Sequence, residues 1–237
     1  MLEVSHVSKS YAGFEVVSEL SFRVRPGGVV GFLGPNGSGK STTMKMIATL
    51  LSPDSGHISV CGYDTKTNAR DVRARIGYLP EHLPVYPELT VEEFLLFLGR
   101  IRDVSSHTLR KQVLAVLQTC HLDSVRRKLC GHLSKGFRQR LGVAQALVHD
   151  PSVLLLDEPT NGLDPEQAND FRKLLKTLAK EKTVLVSSHL LHEMSTLCSK
   201  VLMIRNGRLL CEKESTGEAG FQELEHLYFQ DVAGGLS

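Results

Sequence analysis

The stretch VVGFLGPNGSGKSTTMKMI (29–47) decides the fold. Its first five residues, VVGFL, are apolar without polar alternation, the pattern of a strand buried on both faces. STTMKMI reads as a helix. Between the two lie Gly34, Pro35, Asn36, Gly37, Ser38 and Gly39, with Lys40 and Ser41 at the start of the helix. So little side chain at a strand-to-helix turn means that something must approach the backbone closely. Glycines there let consecutive N–H groups turn inward as a concave anion site. The helix N-terminus adds its partial positive charge to the same place.

The segment fits G-x-x-x-x-G-K-[ST], the phosphate-binding P-loop, in its required setting after a strand and before a helix. Lys40 is expected to reach the β- and γ-phosphates, and the Ser41 hydroxyl to ligate Mg²⁺. The P-loop alone does not choose among kinases, GTPases, motors and transporters.

Working outward, short β-like runs recur at 20–24, 57–62, 75–80, 152–157, 183–187 and 200–204. Helical segments with i, i+3, i+4 apolar spacing, such as DFRKLLKTLAK (170–180), lie between them. The alternation predicts an α/β fold with a mainly parallel sheet. Asn206-Gly207 between two apolar runs predicts a type I′ hairpin. From about 86 to 149 the patterns are almost all helical, which predicts a lobe inserted into an α/β core formed by 1–85 and 150–215. Residues 216–237 read as one amphipathic helix and a frayed end.

With 237 residues the chain can bury a sizeable core, and a net charge of +2 gives no argument for nucleic acid or an anionic membrane. No nucleic-acid partner is expected. No apolar run approaches the roughly 20 residues of a membrane-spanning helix. The start, MLEVSHVSKSY, lacks the basic and apolar regions of a signal peptide. Five scattered cysteines without C-x-x-C spacing read as free thiols in a reducing compartment.

Val153-Leu154-Leu155-Leu156-Asp157-Glu158 is the second chemical signal. An apolar strand of a parallel sheet delivers its terminal carboxylates to the carboxyl edge, where ligands bind. Asp157 is expected to hold Mg²⁺ opposite Ser41, and Glu158 to polarise the water that attacks the γ-phosphate. Two adjacent carboxylates favour hydrolysis over phosphoryl transfer, since one can ligate metal while the other serves as base. LSKGF (133–137) precedes the amphipathic RQRLGVAQALVH. It offers a serine hydroxyl, a glycine backbone and a helix N-terminus, a second anion site that one nucleotide on one P-loop does not need. Asn161-Gly162-Leu163-Asp164 follows the acidic strand. His189 follows TVLVSS and so reaches the same sheet edge as Lys40 and Asp157.

This ordered set resembles the ATP-binding subunit of an ABC transporter, exporter-like with a separate membrane chain, over residues 2 to about 213. GPNGSGKST resembles Walker A, LLLDEP Walker B, LSKGF the signature sequence, NGLD the D-loop and SSH the switch histidine. The resemblance implies an ATPase of the P-loop NTPase fold with an N-terminal antiparallel β region and the inserted helical lobe, so that residues 1–215 form one ATPase domain. It implies ATP binding by Gly34, Pro35, Asn36, Gly37, Ser38, Gly39, Lys40, Ser41 and Thr42, with Tyr11 stacking on adenine. Ser41, Asp157 and Glu81 (at the lid-glutamine position) would ligate Mg²⁺. Lys40, Glu158 and His189 would carry catalysis. Two subunits, identical or not, would pair head to tail, so that Ser134 and Gly136 contact in trans the γ-phosphate held by the partner. A transmembrane permease would complete the assembly, engaged through the groove near 81–95. The chain would then be cytoplasmic, peripheral on the inner face of the membrane.

Three departures from the common pattern stand out. Lys135 adds positive charge beside the signature serine, Phe137 removes an amide, and Glu81 cannot donate as glutamine does unless protonated. A different class, the soluble ABC-type ATPases of translation or DNA repair, resembles tandem duplications or carries long coiled-coil insertions. This chain has one cassette and no heptad run.

Overall fold

The computed structural model describes residues 1–214 together with Glu225, His226 and Tyr228. These three are helical, and the rest of the expected C-terminal helix and tail lies outside the described residues. In chain order the elements are β1 (Leu2–Tyr11), β2 (Phe14–Val24), β3 (Val29–Leu33), α1 (Lys40–Ile47), β4 (Ser55–Val60), β5 (Tyr63–Asp64), α2 (Ala69–Arg75) and β6 (Ile76–Leu79). Then follow α3 (Val91–Ile101), α4 (Ser106–Thr119), α5 (Lys135–Leu147), β7 (Val153–Asp157), α6 (Pro165–Leu178), β8 (Thr183–Ser188), α7 (Leu191–Leu197), β9 (Lys200–Arg205) and β10 (Arg208–Glu214).

Two sheets divide the strands. The larger has the order β10-β9-β3-β8-β7-β6, parallel throughout except for the β9–β10 hairpin. Every residue of β3, β7 and β8 is buried, which is why these strands read as continuous apolar runs. Their side chains alternate between two apolar layers. Val30, Phe32, Leu155 and Leu185 face one layer, with Met44, Met46 and Ile47 of α1 and the inner face of the small sheet. Val29, Leu33, Leu154, Leu156, Val184 and Val186 face the other, which continues through α6 and α7 into the helical lobe.

The smaller sheet, β2-β1-β4-β5, is antiparallel. Its two long strands are broken by bulges, with His6 and Glu19 at φ 49° and 47°. The bulges shift the phase of the apolar residues, so that Leu2, Val4 and Val7 are all buried although their spacing is not strictly alternate.

The lobe comprises α3, α4 and α5. Thr90 and Glu93 form a reciprocal capping box at the start of α3, with the Thr90 N–H donating to Glu93 Oε2 at 2.9 Å. Ser134 caps α5 by accepting from Phe137 N at 3.4 Å. Asp164 caps α6 by accepting from Gln167 N at 2.8 Å, and Pro165 opens the helix.

The expected hairpin forms, with Asn206 and Gly207 at φ 47° and 76° between paired Arg205 and Arg208. Its tip also joins the sheets. Gly207 accepts from Ser18 N at 3.0 Å and donates to Ser38 O at 3.1 Å. A Cβ at Gly207 would sit 2.5 Å from Val16 O, so only glycine fits. All five cysteines are free. No helix among the described residues is long and apolar enough to cross a membrane.

Candidate functional site

Four loops leave the carboxyl edge of neighbouring parallel strands. β3 carries the glycine-rich turn, β8 carries His189, β7 carries Glu158 and β6 carries Glu81. Sheet order alone therefore gathers residues scattered from 34 to 189. They border a cleft of about 360 Å³ lined by Asn36, Gly37, Gly39, Lys40, Ser41, Thr42, Glu81, Glu158 and His189, together with Val16 and Asn161. A larger hollow of about 760 Å³ lies elsewhere, around Arg23, Arg25, Gly28 and Glu214, with none of these motifs in its lining.

The glycines of the turn answer to different demands. At Gly34 a Cβ would lie 2.3 Å from Ile204 O, and at Gly39 2.8 Å from Val16 O, so protein packing excludes a side chain at both. Gly37, at φ 81°, faces open space on the cleft side. That is the side from which a phosphate would reach the backbone N–H groups. Ser38 Oγ, packed beside Gly34 within the turn, is buried with no hydrogen-bond partner in the protein.

Lys40 is 5% exposed. Its ammonium donates to Gly34 O at 2.7 Å and Pro35 O at 3.1 Å, and lies 3.6 Å from Glu158 Oε1. Burial pulls its pKa down, while the carboxylate of Glu158 opposes that shift. Glu158 sits at φ 47°, in the left-handed region. Its N–H donates to Ser187 Oγ at 3.0 Å, and the same hydroxyl donates to Asp157 Oδ1 at 2.5 Å. His189 Nδ1 is 3.0 Å from Glu158 Oε2. The carboxylate is thus held between an ammonium and an imidazole, aimed into the cleft.

Asp157 is 2% exposed and lies beneath the cleft rather than in its lining. With Ser41 and Glu81 it offers oxygen donors only, the kind that a hard cation such as Mg²⁺ takes. No group of three or more His, Cys, Asp or Glu with metal-binding geometry occurs among the described residues. A metal here would accordingly depend on Ser41 and on the nucleotide's own oxygens to complete its shell.

The other expected residues lie apart. Ser134 is exposed at the N-terminus of α5 and Gly136 is buried, where a Cβ would be 2.5 Å from Gln167 Oε1. Neither lines the cleft around Lys40. Beside them a second hollow of about 380 Å³, lined by Lys135, Arg138 and Gln139, meets the first at Glu81 and Asn161. Tyr11 is 46% exposed at the end of β1, outside the cleft lining, with Lys9 Nζ 5.9 Å from its ring centre. Two residues absent from the sequence reading also touch this region. Val16 lies on the rim of the cleft, and Tyr228 donates from its hydroxyl to His189 O at 3.3 Å. Neither sits in a motif, so neither carried a local signal.

Fold and site together define a P-loop nucleotide-binding ATPase. The ABC transporter family profile matches residues 17–161, and an AAA-domain profile matches 130–195. The Nod factor export ATP-binding protein I of Burkholderia pseudomallei is 41% identical over 212 residues, covering 89% of this chain and 70% of that protein. The ABC transporter ATP-binding protein NatA of Bacillus subtilis is 36% identical over 228 residues, covering 94% and 93%. A dimeric ATP-binding cassette solved in a post-hydrolysis state with ADP and Pi superposes with a TM-score of 0.82 at 25% identity, covering 92% of this chain and 100% of the other. The chain belongs to the ABC transporter family, as an ATP-binding and ATP-hydrolysing subunit.

Removing the P-loop ammonium tests the nucleotide site directly. Each hydrogen bond to a charged partner is worth enough that Lys40→Ala is expected to weaken ATP binding about tenfold to a hundredfold. Titration with a fluorescent ATP analogue measures it, and an unchanged Kd would remove Lys40 from the site.

Proposed function

We propose that this chain is the energy-coupling half of a transporter whose membrane-spanning part is a separate protein. The observation that carries the reading is the split of the site. Lys40, Glu158 and His189 converge on one cleft, whereas Ser134 is exposed outside it at the start of α5, with the buried Gly136 beneath. In this reading two subunits pair head to tail, each P-loop facing the other's signature helix, with Mg-ATP between them. The partner is a second copy or a homologous subunit.

The residues divide the work as follows. The backbone of 34–39 and the N-terminus of α1 hold the phosphates, Lys40 and Thr42 add donors, and the exposed Tyr11 ring is available to adenine. Mg²⁺, when bound through Ser41, Asp157 and Glu81, neutralises charge on the phosphate oxygens. Glu158 takes the proton of the attacking water. His189, held against that carboxylate, stabilises charge developing on the transferred phosphoryl group. Closure on ATP and opening after hydrolysis move the lobe, and the permease reads that motion near 81–95. Such a chain works in the cytoplasm against the inner face of the membrane.

The experiment is co-expression of the tagged full-length chain with a candidate multi-span membrane protein, followed by purification in detergent. A stable complex whose ATPase responds to the membrane subunit is the expected result. ATPase stimulated by ribosomes or DNA, with no membrane protein retained, would overturn it.

A further inference from the structure

The loops that carry Glu158 and His189 are tied together at one more point. Their strands pair as far as Asp157 opposite Ser187, where the backbone ladder ends. Glu193, in the first turn of α7, bridges the chains beyond it. Its Oε2 accepts from Thr160 Oγ1 at 2.6 Å and from Ser188 Oγ at 3.2 Å. Thr160, two residues past Glu158, is 6% exposed, and Ser188, just before His189, is 1% exposed. Ser188 Oγ also accepts from Leu190 N at 3.0 Å, so the chain bends around this hydroxyl with His189 at the bend. A glutamate serving only the surface would face water, whereas this one collects two buried hydroxyls on a single oxygen. Hydrogen bonds to an ionised acceptor are short and directional, and in a half-buried place they fix geometry.

We propose that Glu193 is a positioning residue for ATP hydrolysis: through Thr160 and Ser188 it holds His189 in register with Glu158. It does not line the cleft. The inference rests on the roles proposed above for Glu158 and His189.

Steady-state ATPase of the purified full-length chain tests it, alongside titration with a fluorescent ATP analogue. Glu193→Ala is expected to lower kcat about tenfold, with the nucleotide Kd within about twofold of the parent. Glu193→Gln keeps an acceptor oxygen and should retain at least about a third of the parental kcat. His189→Ala alone and combined with Glu193→Ala gives the decisive comparison: if Glu193 acts through His189, its loss costs nothing further once the imidazole is gone. Thr160→Val removes the same contact with little change of shape, and should lower kcat in the same direction even if Glu193→Ala fails to fold.

Losses that multiply in the double variant would overturn the proposal. So would an unchanged kcat in Thr160→Val, or a raised KM with kcat intact. Glu158→Gln separates the two levels. If it keeps full turnover, the reading of the whole site fails and this inference with it. If it abolishes turnover while the other losses multiply, only the role of Glu193 fails.

Discussion

Glu158→Gln is expected to lower ATP turnover about a thousandfold, the middle of the range for a general base, while ATP stays bound. The amide is isosteric but cannot take a proton from water at neutral pH. The phosphate-binding backbone and Lys40 are untouched, so affinity survives. The variant also lacks the negative charge that sits 3.6 Å from Lys40 and would face the γ-phosphate. Less repulsion and no hydrolysis together should trap the closed pair, visible as a dimer on size exclusion with Mg-ATP. A monomer at micromolar concentration would argue against closure of this chain on itself, and reconstitution with a different ATP-binding subunit would then be required for pairing. Undiminished turnover would assign the base elsewhere.

Ser134→Arg is expected to lower hydrolysis about a hundredfold or more, comparable to deleting a donor at a charged transition state. ATP binding by the isolated chain should stay within about threefold, because the side chain lies outside the cleft that holds Lys40. Ser134 is exposed, and its hydroxyl caps α5 by accepting from Phe137 N. Losing that cap costs about 1 kcal/mol, which the buried lobe withstands, so the main effect is steric at the subunit contact. Turnover per chain and nucleotide titration, measured together, separate the two. Loss of binding by the isolated chain would place Ser134 in its own nucleotide site, and normal turnover would remove it from any site.

Much of this geometry was legible because the decisive residues are contiguous. The turn at 34–41, the strand ending at Asp157-Glu158 and the strand ending before His189 each declare themselves locally, and parallel pairing then fixes their common edge. β1 was less legible. Its bulge at His6 breaks the alternation of Leu2, Val4 and Val7, so its strand character comes from pairing with β2 and β4 rather than from its own period. The short helices α2 and α7, each of 7 residues, left too few turns for a period to show. Contacts such as Thr160 with Glu193, or Tyr228 with His189, join residues over thirty positions apart and depend on tertiary packing that no local pattern encodes.

The left-handed backbone at Glu158 sets the chemistry against the scaffold. A residue with a Cβ at such a φ costs about 1–2 kcal/mol that glycine would not. In a lineage selected for durability alone, position 158 would drift toward glycine, and the protein would grow sturdier as it fell silent. Glycine at 158 would relax the backbone and forfeit the carboxylate that the proposed chemistry uses, so stability and turnover pull this position in opposite directions.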